Sequence, residues 1–154
     1  MSFSIDIQVD DPRWRQPRGL SARLRRCAEL ALKRGRAAKT ASLTILLTGD
    51  ARLRRLNREF RGKNKATNVL AFPAGDAPGG YLGDVALAYG VTADEAHAGG
   101  KRFGDHAMHL TVHGVLHLLD FDHQTAEAAG VMEPLEARIL HEFGIANPYA
   151  RKAA

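Results

Sequence analysis

The segment Ser42–Phe60, SLTILLTGDARLRRLNREF, changes its pattern in the middle. Its first part, Ser42–Thr48, is a short apolar run with β-branched residues, which is typical of a buried strand. Asp50 then stands where a helix N-cap is expected. The apolar residues after it recur at helical spacing: Leu53, Leu56 and Phe60. The segment therefore predicts a strand that is followed at once by an amphipathic helix.

The chain on the N-terminal side of this segment has the same order of patterns. Apolar residues alternate with polar ones from Phe3 to Val9, which predicts a strand with one buried face. From about Gly19 to Arg34 the apolar residues recur every three or four positions, which predicts an amphipathic helix with its arginines outward. Gly35 is a plausible end of that helix.

The C-terminal side predicts two more strands, Asn68–Phe72 and Tyr81–Tyr89, on either side of a Gly/Pro-rich loop at Ala74–Gly80. Helical patterning then runs from about Thr92 through Leu119, and a last helix is predicted at Glu133–Phe143. Strands that come early and helices that are grouped later favour an α+β fold. We expect a single mixed β-sheet with helices packed on it.

Composition predicts one folded domain that spans residues 1–154. The chain is 45% hydrophobic and 25% charged, which excludes a mainly disordered state. The N-terminus does not resemble a secretory signal, and no apolar run approaches the roughly 20 residues of a membrane span, so we expect a cytoplasmic protein. Cys27 is the single cysteine, so any metal must be bound by nitrogen and oxygen ligands.

Charge divides the chain into a basic half and an acidic half. Residues 1–65 contain 17 Lys and Arg against 6 Asp and Glu, whereas residues 66–154 contain 5 against 11. Such a basic half favours a polyanionic partner, with solvated helix faces as the alternative.

Five of the seven histidines lie between His106 and His123. His113 and His117 are four residues apart, so on a helix their imidazoles lie on one face and can bind one ion. His109 shares that face, but three helical turns span about 12 Å, which is too far for one metal ion to contact all three. We therefore expect the third ligand to come from a segment that turns back.

His123 meets that need, because Asp120 tolerates the left-handed backbone that ends a helix and returns the chain. The predicted ligands are His113, His117 and His123, on and just after a His-rich helix, around one zinc ion with an open fourth position for water. The H-x3-H-x5-H spacing is that of certain zinc proteases, but Gly114 stands where they carry a catalytic glutamate. A protease of that type is not expected.

The sequence leaves open the roles of several other side chains near the predicted metal ligands. His106 and His109 are expected beside the metal ligands rather than among them, with purely structural roles equally open. Asp120 and Asp122 could orient a ligand or replace His123, and Asp84 could orient a ligand or serve a turn. The general base is left open among several candidates, which are Asp84, Asp120, Asp122, His109 and the metal-bound hydroxide.

Four blocks of the sequence carry a family resemblance: FRGKNKATNVLAFP at Phe60–Pro73, LGD at Leu82–Asp84, HGVLHLLDFDH at His113–His123 and MEPLEARIL at Met132–Leu140. In this order they resemble the bacterial YbeY family of rRNA maturation endoribonucleases. The resemblance implies a zinc-dependent, single-strand-specific endoribonuclease. It implies action in maturation of the 16S rRNA 3′ end and in ribosome quality control, with single-stranded rRNA as substrate and the ribosome or ribosomal proteins as partners.

The family's metal histidines correspond to His113, His117 and His123, and its arginine in the first block corresponds to Arg61. Two departures are visible. Asp120 and Phe121 stand where the family usually has Gly-Tyr, and Ala71 stands where it usually has Ser. Neither departure changes a predicted metal ligand.

The chemistry of these residues suits phosphodiester hydrolysis. Zinc on three neutral imidazoles lowers the pKa of bound water toward about 7 and supplies a hydroxide nucleophile. The Arg61 guanidinium suits a phosphate group, and Lys63 and Lys65, in a polar segment with Asn64, Thr67 and Asn68, are expected to follow a nucleic-acid backbone. Aromatic residues make up only 6%, so a stacking platform is not expected.

Two alternatives remain from the sequence. The first is a metallohydrolase that acts on a peptide or a small molecule, for which the same zinc site would serve. The second is a non-catalytic ribosome assembly factor with a structural metal, although three ligands and an open position are atypical of a structural zinc.

Overall fold

A computed structural model of the chain describes residues 3–75 and 80–150. The described elements, in chain order, are β1 (Ser4–Val9), α1 (Leu20–Arg34), β2 (Ser42–Thr48), α2 (Asp50–Arg61), β3 (Val69–Pro73), β4 (Tyr81–Ala88), α3 (Tyr89–Ala98), α4 (Phe103–Leu118) and α5 (Ala126–His141). Most of the loop predicted between β3 and β4, residues 76–79, lies outside the described residues.

The four strands form one mixed sheet in the order β1-β2-β4-β3. Strands β1, β2 and β4 are parallel, with Ile45 of β2 opposite Val85 of β4. Strand β3 lies at the edge and is antiparallel to β4. Five α-helices accompany the sheet in the described part of the chain. The predicted α+β fold with a single mixed sheet is therefore confirmed.

The two faces of the sheet are covered by different helices. Ile45 and Val85 belong to the main core, in which the sheet packs against buried side chains of α1, α4 and α5. Their neighbours in sequence, Leu46 and Ala86, point to the opposite face and pack in a smaller core with Leu53 of α2. Helices α4 and α2 therefore pack on opposite faces of the sheet.

The helices that follow β4 differ from the predicted ones in two respects. The pattern from Thr92 through Leu119 predicted continuous helix, but α3 ends at Ala98 and α4 begins at Phe103. The break falls at Gly99–Gly100, where Gly100 has a φ of 64°, a backbone conformation that favours glycine. The last helix begins at Ala126, seven residues before the predicted start. Its N-cap is Thr125, which accepts the Ala128 N–H at 3.0 Å.

Helix α2 corrects two expectations about single residues. Asp50 is not the N-cap: Gly49 holds that position, and the Asp50 carboxylate accepts the Val91 N–H of α3 at 3.0 Å. Phe60 continues the apolar stripe as predicted, yet 68% of its surface is exposed. The reason is that the smaller core ends before the helix does, and Phe72 is the aromatic neighbour that Phe60 reaches, at 5.5 Å between ring centroids.

In the described ranges, no helix combines the length and the apolar character that crossing a membrane requires.

Candidate metal centre

Helix α4 places His113 and His117 on one face, with their Nε2 atoms 3.1 Å apart. Gly114 lies on the side of the helix that meets the sheet. A Cβ at Gly114 would stand only 2.6 Å from Cγ1 of Val85. The glycine therefore lets α4 pack closely on β4, and it explains why a glutamate of the protease type cannot occupy this position.

The chain turns back directly after α4, as the sequence predicts. Asp120 has a φ of 71°, and its N–H donates to the His117 carbonyl at 3.0 Å. The Phe121 N–H donates to the Leu116 carbonyl at 3.0 Å, so two of the last carbonyls of the helix are satisfied. This turn brings the His123 ring to within 4.9 Å of the His113 ring and 5.2 Å of the His117 ring, centroid to centroid.

The three histidines form a group that could hold a metal ion. Each offers one ring nitrogen, and these atoms all lie within 4.8 Å of one another. Zinc binds imidazole nitrogens at about 2.0–2.1 Å in a tetrahedron, which separates two ligand nitrogens by about 3.4 Å. The 3.1 Å between Nε2 of His113 and Nε2 of His117 is close to that separation. The donor set and its spacing therefore fit a divalent cation.

Electrostatics keep this group in the form that binds metals. Burial and, to a smaller extent, proximity to His113 and His123 lower the pKa of His117 to about 4. The His117 imidazole is thus neutral near pH 7. Only a neutral imidazole has the free lone pair that a metal ion requires.

Glu136 on α5 connects the metal group to its surroundings. It is fully buried; its Oε1 lies 2.7 Å from Nδ1 of His113 and its Oε2 lies 2.9 Å from Nε2 of His109. The Tyr149 hydroxyl donates to Oε2 at 2.5 Å. Burial raises the pKa of Glu136, but the hydrogen bonds from His109, His113 and Tyr149 outweigh it and bring the pKa to about 2.

The ionised Glu136 fixes the tautomer of His113. A carboxylate only accepts hydrogen bonds, so Nδ1 of His113 carries the proton and its Nε2 lone pair faces the other histidines. Sequence reasoning missed this residue. The signal was a single acidic residue on an otherwise apolar helical stripe of α5: Met132, Leu135, Glu136, Ile139 and Leu140.

His109 and His106 lie beside the group rather than in it. His109 shares Glu136 with His113, and the Tyr149 ring packs against it at 5.5 Å. His106 bonds to Glu95 of α3 at 2.9 Å. The two rings continue the line of histidines along α4 away from the metal group.

The three aspartates considered as partners of the metal ligands lie in different surroundings. Asp84 faces the opposite side of the sheet from Val85 and α4, and it accepts a hydrogen bond from the Tyr81 hydroxyl. The hypothesis that Asp84 orients a ligand imidazole is therefore wrong. Asp122 accepts the Gln124 N–H at 3.1 Å, and Asp120 is exposed at the turn.

Arg61 lies in the last turn of α2, the helix that packs on the opposite face of the sheet from α4. It is exposed, as are Lys63 and Lys65 in the segment that leads to β3. In residues 3–75 and 80–150, no hydrogen bond or ion pair links Arg61 to a histidine of the site. The segment after Arg61 leads to Val69, and Cγ2 of Val69 would lie 3.4 Å from a Cβ placed on Gly114. The segment therefore runs from the end of α2 to the flank of α4.

Comparison with known proteins identifies the family. The family described as Endoribonuclease YbeY matches residues 6–144 of this chain. The chain belongs to the YbeY family. Relatives named Endoribonuclease YbeY include one from Chelativorans sp. (strain BNC1), 44% identical over 154 residues, which cover 97% of this chain and 94% of the relative. Another, from Maricaulis maris (strain MCS10), is 41% identical over 146 residues, covering 95% and 91%.

Further comparisons agree with the YbeY assignment. A relative of the same name from Bartonella henselae is 39% identical over 154 residues, covering 96% of this chain and 98% of the relative. The solution structure of TM1509 from Thermotoga maritima has a TM-score of 0.60 at 20% identity, covering 96% and 99% of the two chains. At that identity the similarity shows a shared fold. The family resemblance stated from the sequence blocks is confirmed.

Proposed function

We propose that this protein is a zinc-dependent, single-strand-specific endoribonuclease that acts in maturation of the 16S rRNA 3′ end and in ribosome quality control. The observation that carries the proposal is the group of His113, His117 and His123, found in a chain of the YbeY family. Three imidazole nitrogens with an open fourth direction are the donor set of catalytic zinc sites. We assign one ion to each chain.

The residues around the histidines prepare them for this ion. Glu136 holds the proton on Nδ1 of His113, so Nε2 is the binding atom. His117 stays neutral because of its lowered pKa. When bound, the ion supplies an activated water and a positive charge for hydrolysis of a phosphodiester.

Arg61 is proposed as the residue that contacts the substrate phosphate. Its guanidinium is exposed and presents a planar set of donors that matches phosphate oxygens. Lys63 and Lys65 extend this positive charge along the segment that leads to the flank of α4. A single RNA strand that follows this segment contacts Arg61 with its backbone and presents a phosphodiester to the histidines.

The proposed substrate also implies a cellular compartment and partners. We propose that residues 1–154 act as one domain on single-stranded rRNA in the cytoplasm, in association with the ribosome or its proteins. The basic half of the sequence supports a polyanionic partner of this kind.

The test is a cleavage assay with the purified protein on a fluorescent single-stranded RNA that carries the 16S rRNA 3′ end, beside the same RNA in a duplex. We expect cleavage of the single strand only, loss of cleavage with a chelator, and recovery when zinc is added back. Glu127→Gln, an exposed change in the first turn of α5, serves as the control and should cleave like the wild type. Chelator-resistant cleavage, or hydrolysis of peptides but not of RNA, would contradict the proposal.

A further inference from the structure

Phe60 is a large apolar side chain that the fold leaves uncovered. In the described part of the chain it is more exposed than any other large hydrophobic residue, with 68% of its surface open to solvent. It lies one turn beyond Leu56 on the apolar stripe of α2, where the smaller core has ended. The Phe72 ring contacts it edge-on, with 62° between the ring planes. An exposed aromatic ring supported from one side is available to a partner.

Basic side chains follow Phe60 at the end of α2 and in the segment that leads to β3. We use the name Phe60 surface for Phe60 together with Arg61, Lys63 and Lys65, all of which are exposed. In the described residues, three surface arginines pair with carboxylates, and they lie elsewhere: Arg13, Arg34 and Arg52. No ion pair neutralises a member of the Phe60 surface within the same ranges. Its charge is therefore available to an anionic partner.

Hydrogen bonds to Asn57 hold the backbone of the Phe60 surface in place. Asn57, which is buried, donates through Nδ2 to the Lys65 carbonyl at 3.1 Å, and the Lys63 N–H donates to the Asn57 carbonyl at 3.3 Å. Gly62 ends α2 with a φ of 69°, so the chain turns sharply after Arg61. These bonds keep the lysines next to the helix end. A surface that is fixed in this way loses little conformational entropy when it binds a partner.

We propose that the Phe60 surface binds single-stranded RNA, with one base stacked on the Phe60 ring and the flanking phosphates contacted by Arg61, Lys63 and Lys65. The inference rests on the proposed function, because it takes RNA as the ligand. A flat apolar ring among unpaired cations matches the two chemical features of a single strand, which are exposed base faces and a phosphate backbone.

This arrangement also explains a preference for single strands. In a duplex the base faces are covered by their neighbours, so only the phosphates can reach the Phe60 surface. Stacking on Phe60 therefore adds affinity for unpaired RNA alone. The low aromatic content of the sequence does not conflict with this, because one ring is sufficient for one base.

The experiment measures the dissociation constant of the full-length, metal-loaded protein for a fluorescent single-stranded RNA by anisotropy, with phosphorothioate linkages to slow cleavage. Phe60→Ala is expected to weaken binding by about 5- to 150-fold, the range found for loss of base stacking on an aromatic side chain. Phe60→Trp is expected to keep the affinity within about twofold. Phe60→Leu should behave like Phe60→Ala, because leucine retains apolar volume without a stacking face.

Salt dependence separates stacking from charge. We expect Phe60→Ala to leave the slope of log affinity against log salt unchanged, and Lys63→Ala to reduce it by about 0.7 for one lost phosphate contact. Val131→Ala is the control, since Val131 is an exposed apolar residue of α5 and should bind RNA like the wild type. A thermal unfolding curve for each variant confirms that it is folded.

Wild-type affinity in Phe60→Ala or Phe60→Leu would overturn the inference. If those variants bind normally while the wild type cleaves RNA, the nuclease function stands and only the stacking role fails. A wild type that neither binds nor cleaves single-stranded RNA overturns both proposals.

Discussion

Replacement of Glu136 by glutamine tests how the metal group is organised. The buried carboxylate accepts one hydrogen bond from Nδ1 of His113 at 2.7 Å and another from Nε2 of His109 at 2.9 Å. Glutamine has almost the same shape, but one of its two terminal atoms is an NH₂ group that cannot accept. Where that group meets Nδ1 of His113, it stabilises the tautomer with the proton on Nε2, and Nε2 then has no lone pair for the metal.

The size of the effect follows from these contacts. Hydrogen bonds to a charged group contribute about 1.5–3 kcal/mol each, and loss of the partner that orients a metal-binding histidine typically reduces metal affinity by about 10- to 100-fold. That reduction corresponds to about 1.4–2.7 kcal/mol, so the two ranges agree for the loss of one bond. We expect Glu136→Gln to weaken zinc binding by this factor while the protein remains folded.

The assay is a competition titration with a colorimetric zinc chelator on the wild type, Glu136→Gln and Glu127→Gln. Glu127 lies in the same helix but is exposed in its first turn, so its variant removes a negative charge without touching a histidine. We expect Glu127→Gln to bind zinc like the wild type. A folded Glu136→Gln protein with the affinity of the wild type would refute the role of Glu136 in orienting His113.

Three further predictions concern stability. Gly114→Ala should lower the free energy of unfolding by about 1–3 kcal/mol in urea titrations, because the new Cβ meets Val85 at 2.6 Å; an unchanged midpoint would contradict the close packing of α4. Asp50→Ala should cost about 1 kcal/mol in the same assay through loss of the acceptor for the Val91 N–H, and a neutral effect would argue against that contact. The metal-free protein should lose about 1–3 kcal/mol between pH 6.5 and pH 4, because the pKa of His117 falls to about 4 on folding and the unfolded chain is protonated first. Denaturation midpoints that stay flat over this interval would exclude a half-buried, neutral His117.

The parts of the site that depend on local geometry could be predicted from the sequence. His113 and His117 share a helical face because of their spacing, and Asp120 signalled the turn that returns His123. Its φ of 71° is the left-handed conformation that the prediction required. Each of these features is set by residues within one or two helical turns.

Features that depend on packing between distant elements could not be predicted in the same way. Glu136 meets His113 only because α5 packs against α4, and residue spacing does not report such a contact. Phe60 has the spacing of a core residue, but its exposure depends on where the smaller core ends. Asp84 was a candidate partner for the histidines because the sequence does not show which face of β4 meets α4.

Metal content of the purified protein tests the central claim most directly. Elemental analysis of the wild type should find close to one zinc per chain, and His123→Ala should lose it, because His123 completes the group with His113 and His117. His106→Ala should retain the metal, since His106 lies on the same helix but bonds to Glu95. A folded wild type without metal, or equal loss of metal from the His106 and His123 variants, would contradict the assignment of the site to these three histidines.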